Sequence, residues 1–292
     1  MSAKSPPASG ARGALRVRGR SLAWGLRTYV MGIVNASPDS FSGDGLGDAQ
    51  HAVDYALSQL AAGADLLDIG AESTRPGHAP IDAALEAARL LPVVRGTRDR
   101  APDALISVDT FKPPIFRAAH AAGGDILNSV WGLDDQLLDV ALACDAPVVI
   151  MHNKQVAVYE RDVVDEVLSS LEEQATRAVR AGIARERVIV DPGIGFGKTA
   201  EHNVALLRAL DRLVALGFAT MLGTSRKSTI GKLTGRDIGA RAFGTAATVA
   251  LAVEAGVDIV RVHDVAAMCD VVHVADAVVR GWRPDGWADR PL

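Results

Sequence analysis

Apolar residues come in short unbroken runs at 29–34, 66–69, 104–108, 125–127, 147–151, 188–190, 219–222 and 257–262. These runs show little polar alternation. That pattern predicts strands covered on both faces, as in a parallel sheet. Between most of them the apolar spacing becomes helical, at 48–62, 81–94, 113–122, 133–144, 163–181, 203–216, 240–255 and 265–279. Four segments close as Ala-Gly-x ahead of the next run, at Gly63, Gly123, Gly182 and Gly256. Glycine there adopts the left-handed backbone that ends a helix, at little steric cost.

Strands alternating with helices, eight of each over about 260 residues, predict a single (β/α)8 barrel of the α/β class. A doubly wound open sheet is the alternative, and the absence of a dinucleotide fingerprint favours the barrel. Leu15 to Leu22 predicts a short N-terminal hairpin. The organisation expected is a disordered tail over 1–13, the barrel over 14–282 and a C-terminal tail over 283–292.

The chain of 292 residues is 49% apolar and 23% charged, which excludes a disordered protein. Its 31 basic and 35 acidic residues leave a net charge of −4, so no nucleic-acid partner is expected. No apolar run is long enough for a membrane span, so no membrane partner is expected either. The two cysteines, Cys144 and Cys269, lie far apart in no metal-ligand pattern, which suits a reducing cytoplasm.

The stretch Val188-Ile189-Val190-Asp191-Pro192-Gly193-Ile194-Gly195-Phe196-Gly197-Lys198-Thr199 resembles a nucleotide site at first sight. A phosphate-binding loop needs a glycine where Pro192 stands, and proline has no N–H to offer a phosphate. The dinucleotide spacing fails too, because its last glycine falls on Lys198. What remains is a buried strand delivering Asp191 at its C-terminal end, followed by a glycine-rich loop.

Other runs end in the same way. Barrel active sites occupy the C-terminal ends of the strands and the loops beyond them. Here those ends carry Asn35, Asp68 with Glu72, Asp109, Asn128, Met151-His152-Asn153, Asp191, Ser225-Arg226-Lys227-Ser228 and Arg261-Val262-His263-Asp264. Asp68 and Asp264 have a plain alternative as helix N-caps. Asn35, Arg261 and His263 suit an anion, and Asn35 can ligate Mg²⁺ shared with phosphate oxygens. Asp109, Asn128 and Asp191 suit a flat heterocycle with amino, ring N–H and carbonyl groups, with Lys227 as a donor to it. The loops after the first two barrel strands have lid composition, and Phe41 is read as a lid anchor.

Seven stretches in order resemble the dihydropteroate synthase family. They are Met31-Gly32-Ile33-Val34-Asn35-Ala36-Ser37-Pro38-Asp39-Ser40-Phe41-Ser42, Glu72-Ser73-Thr74-Arg75-Pro76-Gly77, Ser107-Val108-Asp109-Thr110, Met151-His152-Asn153, Asp191 to Lys198, Thr224-Ser225-Arg226-Lys227-Ser228 and Arg261-Val262-His263-Asp264. The resemblance implies condensation of 6-hydroxymethyl-7,8-dihydropterin pyrophosphate with p-aminobenzoate, using Mg²⁺, in a cytoplasmic homodimer. It implies a pterin set of Asp109, Asn128, Met151, Asp191 and Lys227, with catalytic roles for Asp109, Lys227 and Arg261. It implies a pyrophosphate set of Asn35, Thr74, Arg261 and His263, with Asn35 toward the metal. It implies a p-aminobenzoate pocket of Phe41, Thr74, Arg75, Pro76, Phe196, Lys227 and Ser228.

The chain departs from the family pattern in three places. The first loop reads Ser42-Gly43-Asp44-Gly45 where Ser-Asp-Gly-Gly is usual, and Ala36-Ser37 replaces Val-Thr. Ser129 stands where an aspartate usually follows Asn128. A diverged pterin-binding paralogue without the activity, and a pterin-dependent methyltransferase domain, are the alternatives.

Overall fold

The computed structural model describes residues 12–36, 45–72, 80–284 and 286–289. The apolar runs form eight parallel strands: β3 (Tyr29–Asn35), β4 (Leu66–Gly70), β5 (Leu105–Asp109), β6 (Ile126–Ser129), β7 (Val148–Met151), β8 (Val188–Asp191), β9 (Ala219–Leu222) and β10 (Ile259–Val262). Each pairs with the next, and β10 returns to β3, so the sheet closes into a barrel. The expected (β/α)8 barrel is the fold. The expected hairpin is present as β1 (Ala14–Val17) and β2 (Arg20–Ala23), with Leu15 opposite Leu22.

The unbroken apolar character of the runs has a simple cause, since each strand lies between two separate apolar layers. Ile69, Ile106, Val108, Leu127, Ile150 and Val190 pack outward with the helices. Leu66, Leu105, Ile126, Val149, Ile189 and Ile259 point inward and form the floor of the barrel with Leu15, Leu22 and Trp24 of the hairpin region. Each such side chain contributes roughly 1.5–3 kcal/mol when fully buried. Side chains alternate along a strand. The next inward positions above the floor are therefore Asp68, Asn128, Met151, Asp191 and Arg261, and on β5 Ser107 and then Asp109.

Carboxylates just ahead of three strands tie neighbouring strands together at this floor end. Val30 N–H donates to Asp65, Ile106 N–H to Asp125 and Thr220 N–H to Asp258, each at 2.9 Å. Each acid also meets an arginine: Arg27 at Asp65, Arg18 and Arg98 at Asp125, and Arg12 at Asp258. Arg12 thus fastens the chain just before β1 to the strand end below β10.

The helices are α1 (Gly45–Ala61), α2 (Ala83–Arg100), α3 (Pro113–Ala121), α4 (Asp135–Ala143), α5 (Val163–Ala181), α6 (Ala200–Arg208), α7 (Leu210–Val214), α8 (Ser228–Thr234), α9 (Ala242–Ala255) and α10 (Val265–Val279). Three differ from the expected pattern. The segment expected at 203–216 divides into α6 and α7, because Ala209 takes φ −109° and ψ 22°. Helix α2 continues to Arg100. Helix α8 follows β9 in a stretch with no expected helix.

Candidate active site

At the barrel centre Arg261 joins two buried acids. Its Nε donates to Asp68 Oδ2 at 2.6 Å and its Nη2 donates to Asp109 Oδ2 at 3.1 Å. Asn128 Nδ2 donates to the same Asp68 oxygen at 2.9 Å. Asp68 Oδ1, Asp109 Oδ1 and Asn128 Oδ1 are buried with no hydrogen-bond partner in the protein. Buried polar atoms are nearly always satisfied. The Asn128 oxygen, on the cleft wall, and the Asp109 oxygen, on the carboxyl bonded to Arg261, mark a place where a ligand supplies donors.

A narrow cleft lies beside these groups. Val130, Met151, Ile194 and Phe196 give it apolar walls, and Asn128, Asp191, Lys227 and Arg261 present polar groups to it. Asp191 is fixed by Gly193 N–H, which donates to Oδ1 at 2.7 Å. Lys227 Nζ lies 3.9 Å from the Phe196 ring centroid. Arg226 beside it holds a left-handed backbone at φ 57° and pairs with Asp264.

Burial raises the Asp109 carboxyl to about 7, and the charge of Asp68 adds to that, against Arg261 and Lys227. Burial raises Asp191 to about 6, opposed by the Gly193 N–H and Lys227. Burial opposes the charge on Arg261, yet Asp68 and Asp109 raise its pKa above the usual arginine value. Carboxyls near neutrality in a cleft are a signature of binding and proton chemistry.

The glycine-rich stretch is packed against backbone. A Cβ on Gly193 would lie 2.0 Å from the His152 carbonyl oxygen, and one on Gly197 would lie 2.1 Å from that of Lys154. Both glycines have positive φ, at 70° and 57°. They let the loop after β8 close onto the loop after β7, and Gly195 alone approaches a side chain of the cleft, that of Lys227. Thr199 is the N-cap of α6 in a capping box with His202, which accounts for the end of the false nucleotide motif.

The structure brings Asp109, Asn128, Met151, Asp191, Phe196, Lys227 and Arg261 together. Asn35 is exposed at the end of β3. His263 Nδ1 lies 3.0 Å from Ser225 Oγ, one residue beyond β10. Ser228 opens α8 and is exposed. Phe41, Thr74, Arg75, Pro76 and the Gly43-Asp44 variation lie outside the described residues. Ser129 Oγ donates to Gly132 O and serves the turn after β6.

Two N-cap readings are corrected. Asp68 sits inside β4 and bonds Asn128 and Arg261. Asp264 occupies the N-cap position of α10 without a side-chain cap bond and pairs with Arg226. Asp68 shares the inward register of Leu66. Lys198 was also missed as a functional-site neighbour. Its Nζ donates to the carbonyls of His152 at 3.1 Å and Phe196 at 3.0 Å.

This geometry can be set beside known proteins. The sequence model of the family described as "Pterin binding enzyme" matches residues 31–263. The chain is 41% identical over 270 residues to the dihydropteroate synthase of Synechocystis sp., covering 89% of this chain and 92% of that one. It is similar to the Xanthomonas albilineans dihydropteroate synthase solved with 4-aminobenzoic acid, at TM-score 0.86 and 43% identity, over 93% of this chain and 99% of that one. The same organism's enzyme in complex with 7,8-dihydropteroate matches at TM-score 0.83 and 41% identity, over 93% and 100% of the two chains. An inward ring of acceptors, a cleft floored by a closed barrel and sequence identity over nearly the whole length agree: the chain belongs to the dihydropteroate synthase family of pterin-binding enzymes.

Proposed function

We propose that this chain is a dihydropteroate synthase, joining the pterin pyrophosphate to p-aminobenzoate. The observation that carries the reading is the pair of partnerless acceptors on Asp109 and Asn128 beside the apolar-walled cleft. A pterin ring brings N–H donors to such a set, and Met151 packs against the ring. Solved relatives hold 4-aminobenzoic acid and 7,8-dihydropteroate, one substrate and the product of this reaction.

In the reaction the bond from the pterin methylene carbon to the pyrophosphate oxygen breaks, and pyrophosphate leaves with the electron pair. The arylamine nitrogen then bonds to that carbon and loses a proton. Asp109, Asn128 and Asp191 hold the ring. Lys227 and Arg261 are the cations we assign to the charge that develops. Fixed charges in a buried site act without reorganising, which makes electrostatic preorganisation the main catalytic contribution. No covalent intermediate with the protein is required.

Asn35 and His263, at the ends of the adjacent strands β3 and β10, are the groups we place toward pyrophosphate. No group of three or more His, Cys, Asp or Glu able to hold a metal occurs among the described residues. An exposed Asn35 oxygen fits Mg²⁺, which binds through one or two protein oxygens, waters and substrate phosphates. When bound there the ion would neutralise pyrophosphate charge. Thr74, Arg75 and Pro76, with Phe41, Phe196, Lys227 and Ser228, are the residues we assign to p-aminobenzoate.

No helix of the described residues is long and apolar enough to cross a membrane. Free Cys144 and Cys269 support a cytoplasmic site. A second copy of the chain is the partner we place against α9 and α10, where Phe243 is 91% and Val278 82% exposed. Pyrophosphate release that requires both substrates and Mg²⁺ tests the activity. Pterin binding without turnover would instead identify a non-catalytic paralogue, and methyl transfer from a folate a methyltransferase.

A further inference from the structure

Asp68 has no exposed surface and does not line the cleft. Its Oδ2 nevertheless accepts from two groups that do, Asn128 Nδ2 and Arg261 Nε. An ionised carboxylate accepts and never donates, whereas an amide offers one end of each kind. Asp68 therefore fixes which way Asn128 turns. The nitrogen faces Asp68, and Oδ1 is left buried and partnerless as an acceptor. The same oxygen holds one corner of the Arg261 guanidinium while Asp109 holds another. A planar fork held at two corners has its plane set.

We infer that Asp68 is a positioning residue for the heterocycle site, presenting Asn128 to the ligand as an acceptor only and locking the plane of Arg261. The inference rests on reading this cleft as a pterin site. Its consequence is a sharp selectivity: the ring edge that meets Asn128 must carry a donor, and a ligand with an acceptor there is rejected. Site groups that reject the wrong hydrogen-bond partner discriminate strongly, because a buried polar atom is left unmatched.

Asp68 also acts through charge. The charged and titratable groups around Asp109 are Asp68 on β4, Glu86 on α2, Arg261 on β10 and Lys227 ahead of α8. After burial, Asp68 is the largest contributor raising the Asp109 carboxyl to about 7. Neutralising Asp68 lowers that value. A residue that merely fills space would leave it unmoved.

The test uses Asp68→Asn, which keeps the shape and removes the charge. Binding of the pterin pyrophosphate is titrated without p-aminobenzoate from about pH 5 to about pH 9, around the Asp109 value. We expect the dissociation constant to rise about tenfold or more. We expect the acid limb of binding to move to lower pH, toward the Asp191 value of about 6. In an Asn128→Ala background the same substitution should weaken binding by a smaller factor than in the native chain, because the amide it orients is gone. An unmoved acid limb, or a full and additive loss in that background, overturns the inference.

Should Asp68→Asn not fold, the native protein still decides. The Asn128 side-chain amide protons, identified by their loss in Asn128→Ala, should exchange slowly with solvent before any ligand is added. Rapid exchange overturns the inference. Native protein that binds pterin but makes no dihydropteroate fails the proposed activity alone, and native protein that binds no pterin overturns both.

Discussion

Lys198 Nζ lies 3.0 Å from His152 Nδ1, bridging the loop after β8 to the residue that follows β7. Burial, and after it the Lys198 charge, lowers His152 to about 4, so its ring is neutral at pH 7. For Lys198 to donate, Nδ1 must be the bare nitrogen and Nε2 must carry the proton. Tyr159 completes the junction, stacked on His152 and donating through its hydroxyl to Gly197 O at 2.9 Å. The lysine that resembles a phosphate ligand in the sequence is thus an internal tie between two loops of the cleft.

Lys198→Met should therefore weaken the fold and distort the Phe196 wall together. The substitution leaves the carbonyls of His152 and Phe196 without this donor, at about 1–3 kcal/mol for each buried group. Phe196 faces the cleft and carries Lys227 over its ring. Thermal melting should show the loss of stability. Steady-state kinetics should show a higher KM for p-aminobenzoate, and an unchanged melting temperature would remove Lys198 from this role.

Asp109→Asn should stabilise the free protein above neutral pH while abolishing tight pterin binding. The folded carboxyl titrates near 7, above its ordinary value of 3.8. Between those values the folded state binds more protons than the unfolded state. Stability from this group is therefore fully present below about pH 4 and is lost as pH rises through about 7, at up to about 1.4 kcal/mol per pH unit. Asparagine carries no such penalty. Melting of the two proteins should converge at pH 4 and diverge by pH 8, and parallel curves would show that Asp109 is not destabilised by its charge.

The contrast between legible and hidden parts follows from where each signal lies. The strands were legible because a barrel strand faces an apolar layer on each side, so Ile106 and Val108 look outward while Leu105 looks inward. Asp109, Asn128, Asp191, Lys227 and Arg261 were legible as polar residues ending or following such runs. Asp68 was hidden in the middle of its run, where a single acid reads as a cap. The break at Ala209 was hidden because helical spacing passes through it, and helix α8, at 7 residues, is too short to show a period of its own. The division into α6 and α7 is a matter of one backbone conformation, to which apolar periodicity is blind. Lys198 was discarded together with the nucleotide motif, although its environment depends on loops that meet only in three dimensions.

Asp191→Asn separates shape from charge on the other side of the cleft. Asparagine can still accept from Gly193 N–H through its oxygen, so the local turn survives. Its nitrogen then replaces the second carboxylate oxygen, turning an acceptor into a donor and removing a charge-assisted bond. Such bonds are worth about 1.5–3 kcal/mol, which corresponds to a pterin dissociation constant raised about 10- to 150-fold. Isothermal titration measures it, with a melting temperature that does not fall as the control, since burial raises the Asp191 carboxyl to about 6 and asparagine carries no such penalty. Unchanged affinity would remove Asp191 from the ring contacts.

Lys112→Met addresses the described residues that precede and follow 73–79 in the chain. Lys112 Nζ donates to Glu72 Oε2 at 2.6 Å, to Glu86 Oε2 at 2.7 Å and to Ile81 O at 2.7 Å. Glu72 in turn accepts from Ile81 N–H at 3.0 Å, and Glu86 accepts from Thr110 Oγ1 at 2.6 Å. Glu72 and Ile81 flank residues 73–79, so one ammonium fixes where the chain leaves β4 and where it returns to α2. Removing it leaves two largely buried carboxylates facing each other, and breaking a buried pair in this way costs about 3–5 kcal/mol. Lys112→Met should lower stability by about that amount, read as a lower melting temperature. If the flanks guide the p-aminobenzoate residues, its KM rises while pterin affinity holds. Equal losses in both ligands would mean that Lys112 supports the barrel as a whole rather than this segment.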